Sequence, residues 1–370
     1  MKFRIEKSDF LAAITTVSRA LPARAASPIL EGILVEANIE LSQVRLLATN
    51  TALQIECIAP ADVSIPGVIV LPGKLLLDVI RLIPDGEVEI TEIQGRQNAV
   101  SIKSGDSKKT SMQGFGADEF PELPPIIKKG SFELPQKTLA SMISQTIFAV
   151  SSDEARPVLT GGLMEVESGV MSMVGLDGYR LAIRKEPVLY DADMTAIVPA
   201  QALAAIERTL SDEGDVTVTF SPAAALFDMN HTRITTVLLS GEYMKYKKII
   251  PAEKLTTVRV DKNALLAATN RASLMARDSK NNLVRFSISP DILTVTSNSE
   301  MGDVEEKVAI TLTGGELEIA FNAKYLMDVL KVLSEDEIVL ELSTNVSPCV
   351  IKPLSGDAWL YLVLPVRIFS

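Results

Sequence analysis

The sequence predicts an α+β protein made of three copies of one domain, each with two helices packed on antiparallel sheets. Three observations predict it. PGKLLLDVIRLIPDGEVEI (72–90), an apolar run that breaks at Asp85-Gly86 and resumes as alternation, has counterparts in PAQALAAIERTLSDEGDVTV (199–218) and NAKYLMDVLKVLSEDEIVL (322–340). A short strand leading into a helix also occurs three times, in KFRIEKSDFLAAITTVSRAL from Lys2, SFELPQKTLASMISQTIFAV from Ser131 and TVRVDKNALLAATNRASLMA from Thr257. Between these lie GILVEA, VRLLAT, GLMEVE, MSMVGL, LVRFSI and LTVTS, which alternate or run apolar as half-buried strands do.

The opening helix of each repeat is predicted over 8–24, 136–150 and 261–277. Phe3 and Phe10, Phe132 and Leu139, and Val258 and Leu265 keep one separation, so the match does not rest on composition alone. The second helices are predicted over 72–83, 199–210 and 322–333. In the first, Leu76, Val79, Ile80 and Ile83 follow the i, i+3, i+4, i+7 spacing of one buried stripe. Leu203, Ile206 and Leu210 do so in the second, and Leu326, Val329, Leu330 and Leu333 in the third. Arg81, Arg208 and Lys331 then occupy equivalent positions on the outer face, joined by Lys74 and Lys324. Pro72 and Pro199 suit a first helical turn and Asn322 a cap. The proline-rich, charged stretch EFPELPPIIKKGS (119–131) reads as a linker, and KKIIPAEKLTT (247–257) repeats it more weakly. Domains over 1–126, 127–253 and 254–370 result.

Hydrophobic residues make up 47% of the 370, as in a soluble globular protein of two or three domains. No segment reads as a signal peptide or a membrane span, so a cytoplasmic protein without membrane contact is expected. Cys57 and Cys349 lie in separate repeats inside apolar runs, which predicts buried thiols. His231 has no neighbouring ligand, so no zinc site is expected. The chain carries a net charge of −11, which argues against a grip on nucleic acid through its overall field. The six helix windows nevertheless sum to +6. They form a basic layer on an acidic protein.

Several stretches resemble the bacterial DNA polymerase III beta subunit, the family of replicative sliding clamps. They are MKF at the start, SPILEGILVE (27–36), LDGYRLA (176–182), GEYMKYKKIIP (241–251) and YLVLPVR (361–367), in that order around the threefold repeat. The resemblance covers essentially the whole chain. It implies domains with a pair of sheets outside and a pair of helices inside, and two chains joined head to tail in a dimeric ring around duplex DNA. It also implies a non-catalytic processivity factor that needs no cofactor. The expected partners are the DNA polymerase III alpha subunit, a clamp loader, and other polymerases and repair proteins carrying short peptide motifs.

By the same resemblance Arg24 and Arg156 match loop positions near DNA. Lys74, Arg81, Arg208, Arg271, Lys324 and Lys331 are the candidates for the channel wall. The resemblance also places a partner-peptide pocket at Leu159, Leu176, Gly178, Tyr179, Arg180 and Leu181. Met244, Lys248 and Ile249 join it, as do Val346, Pro348, Leu362, Val363, Leu364, Pro365, Val366 and Arg367. Arg180, Lys248 and Arg367 are expected to rim exposed apolar side chains, which suits a peptide with an apolar anchor and an acidic end. Leu176, Met244 and Pro348 replace a common Thr, Pro and Ser, so a more apolar pocket is expected. The Ile368-Phe369-Ser370 tail runs past the family's usual end and is expected to reach the pocket.

Two other classes stay open on sequence alone. One is a protein-binding scaffold without DNA. The other is a metal-dependent hydrolase using Asp153, Glu154 and Asp177, against which those residues read as a solvated loop and a turn. Gly73-Lys74 lacks the preceding glycine and following hydroxyl of a phosphate-binding loop.

Overall fold

The computed structural model describes residues 1–370 except 106–107, 125, 127–129, 191, 277–281, 301 and 368–370. The tail and Arg277 therefore lie outside the described residues.

The first repeat runs β1 (Lys2–Glu6), α1 (Lys7–Val17), β2 (Gly32–Asn38), β3 (Gln43–Thr49), β4 (Leu53–Pro60) and β5 (Asp62–Ile65). It continues with β6 (Gly67–Pro72), α2 (Gly73–Leu82), β7 (Glu87–Glu92), β8 (Ala99–Ser104) and β9 (Lys108–Gln113). The second runs β10 (Ser131–Pro135), α3 (Gln136–Ser144), β11 (Gly161–Glu167), β12 (Val170–Leu176) and β13 (Arg180–Pro187). It ends with β14 (Met194–Pro199), α4 (Ala200–Glu207), β15 (Asp215–Phe220), β16 (Ala224–Asp228) and β17 (Thr232–Val237). The third runs β18 (Thr256–Asp261), α5 (Lys262–Ala276), β19 (Leu283–Ile288), β20 (Ile292–Ser299) and β21 (Gly302–Gly314). It closes with β22 (Leu317–Asn322), α6 (Ala323–Val332), β23 (Glu337–Leu342), β24 (Cys349–Lys352) and β25 (Trp359–Val363).

Contacts divide the chain into two compact units, and the division falls inside the second repeat. One unit holds residues 1–137 and 204–238, the other 138–203 and 239–370. The first contains a five-stranded sheet, β5-β1-β7-β8-β9, and an eight-stranded sheet, β10-β15-β16-β17-β4-β3-β2-β6. The second contains a twelve-stranded sheet from β14 to β22. Each unit thus includes one place where a strand from one repeat pairs antiparallel with a strand from the next. In the first unit β17 pairs with β4, and in the second β13 pairs with β25.

The helices are shorter than predicted. α1 and α3 end at Val17 and Ser144 and give way to single 3-10 turns. Ser18 Oγ donates to the Ile14 carbonyl at 2.6 Å, and Thr146 Oγ1 to that of Met142 at 2.7 Å. Such back-bonding hydroxyls compete with the helical ladder and help to end it. Of the predicted stripes, Leu76, Ile80, Leu203, Ile206, Leu326, Val329, Leu330 and Leu333 are buried, while Val79, Ile83 and Leu210 are only half-buried. Asn322 caps α6 as expected, its Oδ1 accepting from the Lys324 N–H at 2.9 Å. Pro72 and Pro199 sit one residue before the first turn, as the last residues of β6 and β14, opposite Gly32 and Gly161. A Cβ on Gly32 would come within 2.3 Å of Val70 Cγ1, so the close strand approach requires glycine there.

Candidate functional site

LDGYRLA forms the tip and first residues of the β12–β13 hairpin. Asp177 Oδ1 accepts from the N–H groups of Tyr179 (2.8 Å) and Arg180 (3.0 Å), and Gly178 takes φ +94°. That left-handed conformation favours glycine, which explains the residue at the turn.

Arg180 does not rim the site. Its side chain is 8% exposed, and every edge of the guanidinium is occupied. Nε donates to Asp177 Oδ2 (3.0 Å), Nη1 to Asp328 Oδ2 on α6 (2.5 Å) and Nη2 to the Phe148 carbonyl (2.5 Å). The Phe148 and Tyr325 rings cover it, 5.2 and 4.7 Å from the guanidinium carbon. A planar cation with five donors is suited to such a seat, where an ammonium is not. The expected rim cation is an internal pin. Its charge is already spent.

Around this pin the structure gathers most of the expected pocket. Leu159, Leu176, Leu181 and Leu362 pack in one cluster with Tyr243 and Tyr246, each of the four leucines at most 2% exposed. The β13–β25 ladder sets Leu181 opposite Leu362 and Arg180 opposite Val363, and the Leu364 N–H donates to the Tyr179 carbonyl at 2.9 Å. Tyr179 (59% exposed), Met244 (42%), Ile249 (38%), Val346 (60%) and Leu364 (38%) present apolar surface to solvent. Lys248 and Arg367 are exposed cations, and Pro365 is half-buried.

Two expected members belong to other surroundings. Val363 packs in the neighbouring core around α5 and α6. Pro348 lines a cleft of about 220 Å³ with Pro251, Lys254, Glu341 and Lys352. Sequence reasoning missed Tyr325, Asp328 and Phe148, which hold Arg180. Tyr325 also stacks on Tyr179, with ring centres 5.9 Å apart and 24° between planes. Tyr325 and Asp328 share one face of α6 at i and i+3, a weak signal in the sequence.

The eight basic candidates are all exposed. Lys74, Arg208 and Arg24 in the first unit, and Lys324 and Lys331 in the second, form no ion pair among the described residues. Arg81 lies 3.7 Å from Asp78 and Arg156 3.3 Å from Asp153. Arg271 is engaged most firmly, donating to both oxygens of Glu306 at 2.7 and 2.6 Å. The hydrogen bond from Arg271 holds the Glu306 carboxyl below its ordinary value.

The same geometry bears on the hydrolase alternative. Asp177 has both oxygens engaged by the turn and by Arg180, and Asp153 accepts from the Ala155 N–H and from Arg156. Neither is a free ligand. Cys57 and Cys349 are buried free thiols, as predicted, and burial pushes the Cys349 thiol up to about 12.

Family comparisons decide the class. The N-terminal, central and C-terminal domains of the DNA polymerase III beta subunit match residues 1–124, 133–245 and 247–367. This chain belongs to the DNA polymerase III beta subunit family. A Staphylococcus aureus "Beta sliding clamp" is 32% identical over 383 aligned positions, covering all of both chains. The Bacillus subtilis DNA polymerase sliding clamp superimposes with a TM-score of 0.95 at 32% identity, again over 100% of each chain. A putative beta subunit from Eubacterium rectale gives 0.94 at 30% identity over the same extent. The three-domain clamp fold of antiparallel sheets and helix pairs, the sliding-clamp function and the non-catalytic role of the subunit come with this membership.

Proposed function

We propose that two copies of this chain close head to tail into a ring that encircles duplex DNA and tethers replication proteins to it. The observation that carries this reading is the set of exposed cations at matching positions on the outer faces of the second helices. Lys74 and Lys324 match, as do Arg81, Arg208 and Lys331, in a chain of net charge −11. Cations confined to one face attract phosphate without sequence preference, and weak, salt-sensitive contacts permit sliding. The ring holds the DNA by enclosure. Arg24, Arg156 and Arg271 join this surface, although Arg271 must exchange Glu306 for phosphate to do so.

Partners dock on the Leu159–Leu176–Leu181–Leu362 floor through short peptides. Met244, Ile249, Val346, Leu364 and Tyr179 grip an apolar anchor there, and Lys248 and Arg367 face its acidic end. The polymerase alpha subunit, the clamp loader and repair proteins are the users of this pocket. The domains divide near residues 126 and 253, and the protein works in the cytoplasm.

The test loads the purified protein onto nicked circular plasmid with its cognate loader and ATP, then washes in high salt before and after one restriction cut. Salt-resistant binding that disappears on linearisation is expected. Binding lost in salt on circle and line alike would mean electrostatic contact in a groove, and encirclement would be rejected.

A further inference from the structure

We infer that Glu165 on β11 is a positioning residue of the peptide pocket, holding in place the segment that carries Met244, Lys248 and Ile249. The inference rests on the pocket reading above and names what sets the shape of one of its walls.

That segment joins β17 to β18. At one end Leu239 donates its N–H to the Ile197 carbonyl at 2.9 Å, and at the other Leu255 donates to Leu342 at 2.9 Å. Between these points, among the described residues, no main-chain hydrogen bond ties it to a strand. It makes only short internal bonds around the 3-10 turn Tyr246–Lys248. A segment without a ladder opens easily unless side chains fasten it.

Two tyrosines turn inward and do so. Tyr243 is 8% exposed and its hydroxyl donates to the Val174 carbonyl at a long 3.4 Å. Tyr246 is 5% exposed, and its hydroxyl donates to Glu165 Oε1 at 2.5 Å. Lys247 adds its ammonium, 3.0 Å from Glu165 Oε1 and 2.6 Å from Glu167 Oε2. Burial, and after it the facing carboxylate, push the Tyr246 phenol well above its ordinary value, so it stays a donor at any working pH. The main chain of Tyr246 carries this position into the pocket. Its N–H donates to the Met244 carbonyl at 2.7 Å, and its carbonyl accepts from the Ile249 N–H at 3.1 Å. Moving one ring moves both apolar pocket members.

A second observation comes from β11 itself. The Glu165 side chain is 16% exposed and stands between Ser172 on β12 and Thr195 on β14, neither of which offers a charge. Gly32 and Gly161, facing Pro72 and Pro199, make Glu36 its equivalent in the first repeat. There Glu36 faces Arg45, whose Nη1 lies 3.1 Å from it. Serine in place of that arginine leaves Glu165 without a cross-strand cation, and a half-buried carboxylate is costly unless it is satisfied. Its partners among the described residues, Tyr246 and Lys247, both come from the segment.

The test measures capture of a fluorescein-labelled peptide, the clamp-binding segment of the cognate polymerase alpha subunit, by the full chain in fluorescence polarisation. Glu165→Ala should weaken binding at least about tenfold (about 1.4 kcal/mol), and Tyr246→Phe at least about fivefold. Glu165→Gln, whose amide oxygen still accepts from the hydroxyl, should stay within about threefold of the parent. The double variant E165A/Y246F should bind within about twofold of E165A, since both changes remove one contact. Hydrogen exchange in E165A should rise over residues 243–250 and stay parental at the β12–β13 tip. Exchange that rises throughout the unit would mean a general loss of stability and would overturn the inference. So would peptide binding by E165A equal to the parent's, or by Y246F should E165A not fold. Effects that add in the double variant, or E165Q as weak as E165A, would also overturn it, because Glu165 would then not act through the Tyr246 hydroxyl. In each of these cases Leu364→Ala still weakens capture and the pocket reading stands. A parent chain that never captures the peptide would overturn the pocket and its positioning residue together.

Discussion

Replacing Arg180 with alanine removes three charge-assisted hydrogen bonds and the cation seated between Phe148 and Tyr325. It also strands two carboxylates, since the Asp177 and Asp328 side chains are only 14% and 24% exposed. Removing one partner of a buried pair typically costs about 3–5 kcal/mol, much of it the penalty of the charge left behind. In a unit of roughly 200 residues, where 1 kcal/mol shifts the melting point by about 2–4 °C, this amounts to a loss of about 10 °C. Arg180→Lys should recover little of it, because an ammonium keeps the charge but loses the fork. Differential scanning fluorimetry with hydrogen exchange on α6 measures the effect. Exchange should rise at α6 and at the β12–β13 tip together. A melting point within about 1 °C of the parent would refute the claim that this cation pins the hairpin to the helix.

Other outcomes follow from the same geometry. Reversing Arg81, Arg208 and Lys331 to Glu should weaken retention on circular plasmid while sedimentation still shows a dimer. Leu364→Ala or Tyr179→Ala should weaken capture of a clamp-binding peptide several-fold in fluorescence polarisation while lowering the melting point by far less than Arg180→Ala, since neither side chain is buried. Glu306 is held below the ordinary carboxylate value by Arg271, so its contribution is full above about pH 4.3 and lost as pH falls through the lower folded value. E306Q should therefore lower stability at neutral pH and flatten the acid limb of the stability curve, as followed by circular dichroism, converging on the parent at low pH. Cys349 and Cys57 should resist a thiol-specific dye at pH 8 until denaturant opens the core, because burial raises both thiols.

Periodicity carried most of the fold into view. The repeated stripes on the second helices and the constant Phe3–Phe10, Phe132–Leu139 and Val258–Leu265 spacing each reflect a local geometry in which near neighbours share a face. Asn322 was legible for the same reason, its cap bond closing over two residues. Arg180 was not, because Asp328 lies 148 positions along the chain and only the folded β13–β25 ladder brings α6 beneath the hairpin. An arginine flanked by turn residues looks solvent-facing until that long-range partner is known. The helix ends were overrun because Ser18 and Thr146 read as ordinary helix residues, although their hydroxyls compete with the backbone.

The two internal ladders share one backbone address and carry different side chains at it. Glu56 faces Arg233 where Ile183 faces Leu360, and Leu53 faces Thr236 where Arg180 faces Val363. A chain assembled from near-identical modules risks mating the wrong edges as it emerges from the ribosome, because main-chain hydrogen bonds do not distinguish one module from another. Placing β25 against β4 would set Leu360 opposite Glu56 and leave that carboxylate with Arg45 alone, and placing β17 against β13 would set Arg233 on Ile183 with Asp228 alone. Each mistake removes the cross-strand charge match, so divergence among the copies favours the correct mating of edges during assembly.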